Sequence, residues 1–380
     1  MFGASGFTGG LTAEYLARAG QNTRWAVAGR SATKLEALRD RLAAVAPAAG
    51  EIDVLIADID DEASLRRLAE SAKVVITTVG PYIHYGEPLV AACAAAGTDY
   101  VDLTGEPEFV DLMWLRHQET ATRSGARLVH SCGFDSIPYD LGALFTVTQL
   151  PENVPIKLEG FVRAGGTISG GTYHSAVHIA GRLRHGQRTA TARRRAEGRP
   201  EGRRIRGITG RPHHDDTAGG WVMPVPTIDP ITVLRSARAL PRYGPDFRYS
   251  HYVVAKRLAS LGVLAAGGGT VAALAQLRPT RNLLLKLKDP GDGPTAAQRA
   301  RGWFEVRFAG EGGGARIVTE VSGGDPGYGE TSKMLAEAAL CLAHDDLPEL
   351  AGQLTPAVAM GRPLIDRLQR AGIRFATVST

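Results

Sequence analysis

Cysteine is scarce in this chain. Its 380 residues contain three cysteines, Cys93, Cys132 and Cys341, which lie far apart in the sequence. This spacing fits neither a disulfide framework nor a metal site, so we expect a reducing cytoplasmic environment. No signal peptide is recognisable at the start of the chain. The composition, 44% hydrophobic and 22% charged, is that of an ordinary globular protein, and the length predicts two domains.

The segment before the first glycine-rich turn is also very short. Only Met1 and Phe2 precede Gly3, whereas a doubly wound α/β sheet normally has an apolar strand leading into such a turn. We therefore expect the first strand to be nearly missing and the central strand to be short. We interpret this beginning as that of a truncated or mis-started gene product.

The turn itself has glycines at three-residue intervals, followed by an apolar helical pattern. Glycine lets the backbone turn tightly and approach a ligand, and the helix after the turn directs free N–H groups and a positive dipole end towards an anion such as pyrophosphate. The spacing G-x-x-G-x-x-G is a signal of moderate specificity, because such turns also occur without a ligand. We predict a dinucleotide-binding turn with contacts from Gly3, Ser5, Gly6, Phe7, Thr8 and Gly9.

A carboxylate is absent where the second predicted strand ends. Residues 25–28 form a short apolar run, and Arg30 and Ser31 follow it. An acidic residue at this point would accept a hydrogen bond from the ribose of NAD, whereas a guanidinium matches a 2′-phosphate. We therefore predict NADP(H) as the cofactor. The alternative is that Arg30 only ends a strand at the surface.

Alternating apolar runs and helical patterns extend over the first 145 residues and predict βαβ units with a parallel sheet. We assign residues 1–150 to a Rossmann-type domain of the α/β class. A second, α+β domain is expected over residues 151–325, with a hairpin formed by 303–308 and 316–322. A helix at 328–344 begins a third segment, 326–380, whose helix and tail are expected to pack back on the first domain.

Three loops that follow predicted strands are the candidate sites of chemistry, because ligands in such sheets lie beyond the carboxyl ends of the strands. We assign Val79, Gly80 and Pro81 to cofactor binding, and Tyr82 is a candidate hydrogen-bond donor that could instead only pack over the cofactor. Glu106 follows the next strand. Asp135 follows the third, where helix capping is the favoured alternative to catalysis.

Two histidines four residues apart, His174 and His178, share one face of a predicted helix. No third ligand is evident, so we predict no metal site. A role facing the substrate stays open, because a glycine-rich stretch precedes the helix.

Arginine is concentrated between residues 182 and 211. This stretch holds eleven arginines against two glutamates, a net charge of +9 that exceeds the +5 of the whole chain. We expect an exposed loop with three alternative roles: a solvated surface, a docking site for an acidic carrier protein, or contact with an anionic membrane. No aromatic interleaving or recognised fold supports nucleic-acid binding.

Charge is absent from residues 258–277, which are flanked by Lys256, Arg257, Arg278 and Arg281. The length would permit a membrane span. Its many glycines and alanines make it weakly hydrophobic, so we predict a buried or membrane-surface helix. The protein would then be cytoplasmic, with peripheral contact to the inner face of the plasma membrane.

With these motifs in place, the sequence resembles the saccharopine dehydrogenase-like oxidoreductases, and most of all the actinobacterial trans-acting enoyl reductases of glycolipid assembly. The resemblance is specific in the first 142 residues. It implies a second α+β domain inserted before a returning C-terminal helix, and NADPH-dependent reduction of a polyketide-derived enoyl thioester during lipid biosynthesis. The residues that carry it are 3–10, 28–30, 79–82, Gly86, Cys93, 97–106, 133–140, 355–357 and 360–361.

Enoyl reduction requires a hydride at the β-carbon, a proton at the α-carbon and a donor for the enolate-like oxygen. The substrate implied is a lipid-linked acyl thioester, carried by an acyl carrier protein. One alternative is an NADP oxidoreductase that acts on an amino acid or imine, as saccharopine enzymes do. The other is a non-catalytic, membrane-associated nucleotide-binding protein, which the missing first strand suggests.

Overall fold

The structure is a computed structural model that describes residues 1–19, 23–166, 170–287 and 293–378. Its strands are β1 Ala26–Gly29, β2 Asp53–Ile56, β3 Val74–Ile76, β4 Asp99–Val101, β5 Arg127–Val129, β6 Ile156–Gly165, β7 Arg204–Gly207, β8 His213–Asp215, β9 Gly220–Pro224, β10 Asp246–Ala255, β11 Trp303–Gly312, β12 Ala315–Gly323, β13 Gly352–Leu354 and β14 Arg374–Val378. Its α-helices are α1 Phe7–Ala19, α2 Ala32–Val45, α3 Glu62–Glu70, α4 Tyr82–Tyr85, α5 Glu87–Ala96, α6 Pro107–Ser124, α7 Ile137–Val147, α8 Gly170–Gly181, α9 Leu183–Glu197, α10 Asp229–Ala239, α11 Leu258–Leu274, α12 Arg278–Leu285, α13 Ala296–Arg299, α14 Gly329–His344, α15 Pro356–Ala359 and α16 Gly361–Arg370.

A parallel sheet is built mainly from the first part of the chain. β2 pairs with β1, and β3, β4, β5 and β13 are joined in that order in a second group of strands. Residues 1–3 link the two groups, because Phe2 forms parallel bridges to Ala28 and Thr77. The Phe2 N–H donates to the Ile76 carbonyl oxygen at 2.8 Å. The short central strand predicted from the sequence is therefore confirmed.

Helices that follow these strands bury apolar faces with helical spacing. In α3, Leu65, Leu68 and Ala69 are buried, as expected from their three- and four-residue spacing. The Asp61 carboxylate accepts a hydrogen bond from the Ser64 N–H and caps the helix. The strand–helix alternation confirms the predicted Rossmann-type α/β class in this region.

A second sheet has the strand order β14-β12-β11-β6-β10-β9-β8, with β7 also paired to β10. The predicted hairpin is present as the antiparallel pair β11 and β12. α7 packs directly on this sheet: a Cβ on Gly142 would lie 2.4 Å from Cε2 of Phe308. The Thr146 and Thr319 hydroxyls, 2.6 Å apart, join α7 to the neighbouring strand, β12.

The last part of the chain contacts both sheets. α14 packs against α1 and against β3 and β4, and β13 pairs with β5 in the first sheet. β14 instead pairs with β12 in the second sheet. The expectation that the whole tail packs on the first domain is therefore wrong at its end, and residues 379–380 lie outside the described residues. The assignment of three domains stays a proposal.

The arginine-rich segment is not an exposed loop, which corrects the sequence prediction. Residues 183–197 form α9, which packs along α6, and residues 204–207 form β7, which pairs with β10. Arg193 is buried and lies within ion-pair distance of Asp111 and Glu197. A stretch rich in charge can form a helix when part of its charge is neutralised by acids on a neighbouring helix.

Residues 258–274 form the predicted uncharged helix, α11, but most of its side chains are exposed. Leu261 is its one fully enclosed side chain, so the alternative of a buried helix is wrong. Within the described residues, no helix combines the length and the apolar character that a membrane crossing requires.

Candidate functional site

The glycine-rich turn folds as a compact loop at the start of α1. Gly3 has a φ of +79°, and its carbonyl oxygen accepts the Gly6 N–H at 3.1 Å. A Cβ on Gly9 would lie 2.2 Å from that same oxygen, so only glycine permits this approach of the helix to the turn. Among the described residues, the N–H groups of Phe7 and Thr8 have no acceptor. They are available to an anion at the helix N-terminus.

The loop after β3 lies against this turn. A Cβ on Gly3 would be 2.7 Å from Cγ2 of Val79, and the Thr78 hydroxyl donates to the Gly3 carbonyl oxygen at 3.2 Å. The bond between Gly80 and Pro81 is cis. The two predicted groups of cofactor residues are thus brought together at the carboxyl edge of the parallel sheet.

Arg30 follows β1 and is exposed. Within the part of the chain that the structure describes, its guanidinium has no hydrogen bond or ion pair, so its donors are available for a phosphate. The Ser31 hydroxyl accepts the Lys34 N–H at 3.4 Å and caps α2. The tight cradle, the free N–H groups and this cation fit a dinucleotide with a 2′-phosphate. The individual contacts stay predictions.

Phe7 joins this turn to the later part of the chain, which the sequence did not predict. Its ring meets the Tyr328 ring edge-on at 4.9 Å, and the Arg299 guanidinium carbon lies 5.7 Å from its centroid. A Cβ on Gly293 would lie 2.1 Å from the Phe7 ring. Arg299 is therefore a second cation near the turn, and no local sequence signal identifies it.

Asp102 holds the loops after β4 and β5 together. One of its carboxylate oxygens accepts the N–H groups of Thr104 and Ser131, at 3.0 and 2.9 Å. The other accepts the Tyr100 hydroxyl at 3.0 Å and lies 2.6 Å from Nδ1 of His130. These bonds fix the backbone that leads to Glu106 and Asp135.

The Tyr82 hydroxyl is occupied by backbone groups. It donates to the Thr77 carbonyl oxygen at 3.2 Å and accepts the Leu103 N–H at 3.1 Å. Burial, and after it the charge of Asp102, raises the pKa of Tyr82 well above its usual value. The geometry therefore argues against the predicted role as a donor to substrate and supports the alternative, a packing residue.

Glu106 is buried and accepts hydrogen bonds from three groups on two elements. The N–H groups of Tyr82 and Ile83, in the first turn of α4, donate at 3.1 and 2.9 Å. The Ser175 hydroxyl of α8 donates at 3.0 Å. Burial raises the pKa of Glu106, and these hydrogen bonds oppose the rise. The carboxylate thus links α8 to the start of α4 and to the loop after β4.

Asp135 does not cap α7, which corrects the favoured sequence interpretation. The helix begins at Ile137, and its first N–H bonds to the Gly133 carbonyl oxygen. No hydrogen bond links the Asp135 carboxyl to any described residue, and a Cβ on Gly105 would lie 3.4 Å from it. Burial raises the pKa of this carboxyl to about 6. Asp135 is thus suited to hold or release a proton near neutral pH.

α8 places His178 beside α4, which follows the loop after β3. The His178 ring meets the His84 ring of α4 edge-on at 5.1 Å. Burial, followed by the neighbouring His84, lowers the pKa of His178 to about 4. His178 is therefore a neutral imidazole, which can donate one hydrogen bond. Over the described residues no cluster of metal-binding side chains is found.

A buried group from the second half of the chain lies near Asp135 and was missed from the sequence. Burial, and in smaller part the charge of Asp135, raises the pKa of Asp229 well above its usual value. Oδ2 of Asp229 lies 3.9 Å from Nε2 of His251, whose Nδ1 is 3.1 Å from the Tyr249 hydroxyl. These residues belong to α10 and β10, more than ninety positions after Asp135, and form no motif.

Together, the glycine-rich turn, the free cation and the half-buried acid at the carboxyl ends of the strands define a nucleotide-dependent oxidoreductase. The model of the saccharopine dehydrogenase NADP binding domain matches residues 1–129. The trans-acting enoyl reductase of Mycobacterium ulcerans is 36% identical over 407 residues, covering 98% of this chain and 96% of that protein. A Mycobacterium tuberculosis protein with the same name, given provisionally, is 38% identical over 409 residues, covering 99% of this chain and 96% of that protein.

The fold agrees with these relatives. The L-Glu-forming saccharopine dehydrogenase of Saccharomyces cerevisiae superposes with a TM-score of 0.57 at 12% identity, covering 100% of this chain and 99% of that structure. The chain belongs to the trans-acting enoyl reductase family of the saccharopine dehydrogenase-like oxidoreductases. It is an NADP-dependent oxidoreductase, which confirms the predicted class and cofactor.

Proposed function

We propose that this protein reduces the α,β double bond of an enoyl thioester with NADPH. Relatives with this name match nearly the whole chain at 36% and 38% identity, whereas the saccharopine dehydrogenase shares only 12%. The observation that carries the proposal is the Asp135 carboxyl, which has no hydrogen-bond partner in the described chain and lies beside Gly105 in the loop after β4. Its raised pKa suits a proton donor.

The proposed roles follow from the surroundings of each side chain. NADPH held at the glycine-rich turn would supply the hydride that the β-carbon requires. Asp135 gives a proton to the α-carbon and regains it from solvent, so that the double bond is saturated and the thioester itself is retained. The neutral His178 ring donates a hydrogen bond to the thioester oxygen as negative charge develops there. Glu106 keeps α8, and with it His178, in position through Ser175.

We further propose that the acyl group is carried by an acyl carrier protein and serves the assembly of complex lipids, glycolipids included, at the inner face of the plasma membrane. Arg184, Arg188 and Arg195 line an open groove along α9. Carrier domains are acidic, and a basic groove both attracts and orients them. All three of these arginines are exposed.

Turnover measurements test the activity directly. The purified chain is mixed with NADPH or NADH and with trans-2-enoyl thioesters of short and long acyl chains, and loss of nicotinamide absorbance is followed. We expect turnover with NADPH and long-chain thioesters. Small imino and keto acids with ammonia form the second arm. Turnover in that arm alone would assign the amino-acid chemistry of the saccharopine enzymes instead.

A further inference from the structure

Two consecutive helices, α11 and α12, expose more large apolar side chains than any comparable stretch of the described chain. We call residues 256–287 the apolar hairpin. Folded chains usually bury such side chains, and contiguous exposed ones mark a surface that contacts something else. Seven large apolar side chains of the hairpin are between 39% and 74% exposed: Leu258, Val263, Leu264, Leu274, Leu277, Leu283 and Leu287.

Nothing in the described chain packs on the glycine-rich side of α11. A Cβ on Gly262, Gly267, Gly268 or Gly269 would have no neighbouring atom within 4 Å. The opposite side is anchored, since Leu261 is buried in α11, and Ala275 and Leu284 are buried against Val177 of α8. The hairpin therefore has one face fixed to the protein and one face uncovered.

The charges around the uncovered face are all positive. Residues 247–288 contain no aspartate or glutamate. Lys256 and Arg257 precede α11, Arg278 and Arg281 begin α12, and Lys286 ends it. An apolar surface bordered by cations is complementary to a bilayer that contains anionic lipids, because leucines enter the acyl boundary while cations meet the headgroups.

One helix separates this surface from the candidate active site. The Tyr173 hydroxyl of α8 donates to the Leu284 carbonyl oxygen at 3.0 Å, and the Gln276 amide donates to the Ala180 carbonyl oxygen at 2.7 Å. The same helix carries Ser175, bonded to Glu106, and His178, beside His84. A bilayer in contact with the hairpin would thus lie close to the elements that border the site.

We propose that the apolar hairpin docks the protein on an anionic bilayer by inserting its leucines and Val263 at the headgroup boundary, and that α8 thereby faces the membrane. Docking itself is independent of the reaction catalysed. The consequence that the carrier-linked acyl chain meets the site at the bilayer surface rests on the proposed enoyl reductase function.

Vesicle sedimentation tests the docking without any activity measurement. The full chain is mixed with vesicles of phosphatidylcholine alone or with added phosphatidylglycerol. We expect co-sedimentation with the anionic vesicles, weakened by salt. The double variant Val263→Asp/Leu283→Asp should bind about tenfold less, because two apolar contacts are replaced by charges that the bilayer repels. The matched control is Leu350→Asp, which changes an apolar residue of 41% exposure outside the hairpin.

Two results would overturn the proposal. One is equal vesicle binding by the wild-type chain and the double variant. The other is a wild-type dimer that the double variant dissociates, since a second copy of the chain would then cover this face. NADPH titration of the variants verifies folding. Loss of vesicle binding with full turnover of a short soluble thioester separates this proposal from the catalytic one.

Discussion

The Glu106 carboxylate accepts a hydrogen bond from the Ser175 hydroxyl at 3.0 Å, across 69 positions of sequence. This bond joins the carboxyl end of β4, in the parallel sheet, to α8, which is packed against the apolar hairpin. Because Glu106 also accepts two N–H groups at the start of α4, one buried carboxylate fixes two of the elements that border the site.

Removal of this carboxylate should destabilise the protein more than removal of its hydroxyl partner. Glu106→Ala leaves three donors unpaired, so we expect the free energy of unfolding to fall by about 3 kcal/mol. Ser175→Ala removes one hydrogen bond and should cost about 1 kcal/mol. Urea denaturation measures both, with the exposed Glu119→Ala of α6 as control. Equal effects of the Glu106 and Ser175 variants would contradict the positioning role.

Asp135 should give the reaction a pH dependence. A proton donor acts in its protonated form, and the pKa of this carboxyl is about 6, so kcat/KM should fall about tenfold per pH unit above that value. Asp135→Asn should lower the rate about a hundredfold and remove the dependence. The exposed Asp60→Asn serves as control. A wild-type rate that is constant through neutral pH would show that another group donates the proton.

The same shift affects stability with a defined sign. The folded state raises the pKa of Asp135 above the unfolded value of 3.8. The contribution of Asp135 to the free energy of unfolding is therefore fully present below pH 3.8 and is lost as the pH rises through about 6. Asp135→Asn should therefore be more stable than the wild type at neutral pH while it reacts more slowly. Thermal unfolding at pH values on both sides of 6 measures this difference.

Arg30 should set the choice of cofactor. Arg30→Glu removes the cation available to a 2′-phosphate and introduces a carboxylate that can accept from a ribose hydroxyl. We expect the KM for NADPH to rise about a hundredfold while the KM for NADH changes little. The control is Arg66→Glu, the same charge change on the exposed side of α3. An unchanged preference for NADPH would mean that Arg30 only ends a strand.

Local patterns were enough to predict the glycine-rich turn and the position of Arg30 after β1. The glycine spacing requires the close approach of Gly9 to Gly3, and the strand end at residue 29 determines where Arg30 emerges. The candidate catalytic groups depend on contacts between distant segments. Nothing near Asp229 or His251 in the sequence indicates a site, because both become relevant only when the second sheet packs beside Asp135.

The basic groove on α9 should speed encounter with a carrier protein. Arg184, Arg188 and Arg195 line it, so the triple change to glutamate should raise the KM for a carrier-linked thioester about tenfold at low salt. The KM for a short free thioester should stay the same. Arg301→Glu/Arg316→Glu, also at exposed positions, provides the control. An equal rise of the KM for both substrates would show that the groove does not take part in carrier recognition.

Two adjacent arginines of α9 show what a count of charges misses. Arg193 is 4% exposed, lies within 3.3 Å of Asp111 and of Glu197, and stacks 5.1 Å from the Trp114 ring. Burial, and after it the charge of Arg235, lowers the pKa of Arg193 to about 10. Arg194, the next residue, is exposed. The acids that neutralise Arg193 include one 82 positions earlier, so the sequence alone suggested a solvated loop.

The pair provides a matched test of this difference. Arg193→Ala leaves Asp111 with only Arg235 as a partner in the described interior, and it also removes the contact with Trp114. We expect the free energy of unfolding to fall by about 3 kcal/mol, because the buried carboxylate of Asp111 is then incompletely paired. Arg194→Ala should change it by less than about 0.5 kcal/mol. If urea denaturation gave both variants the same stability, α9 would not pack on α6 in solution. The groove along α9 would then not exist as described.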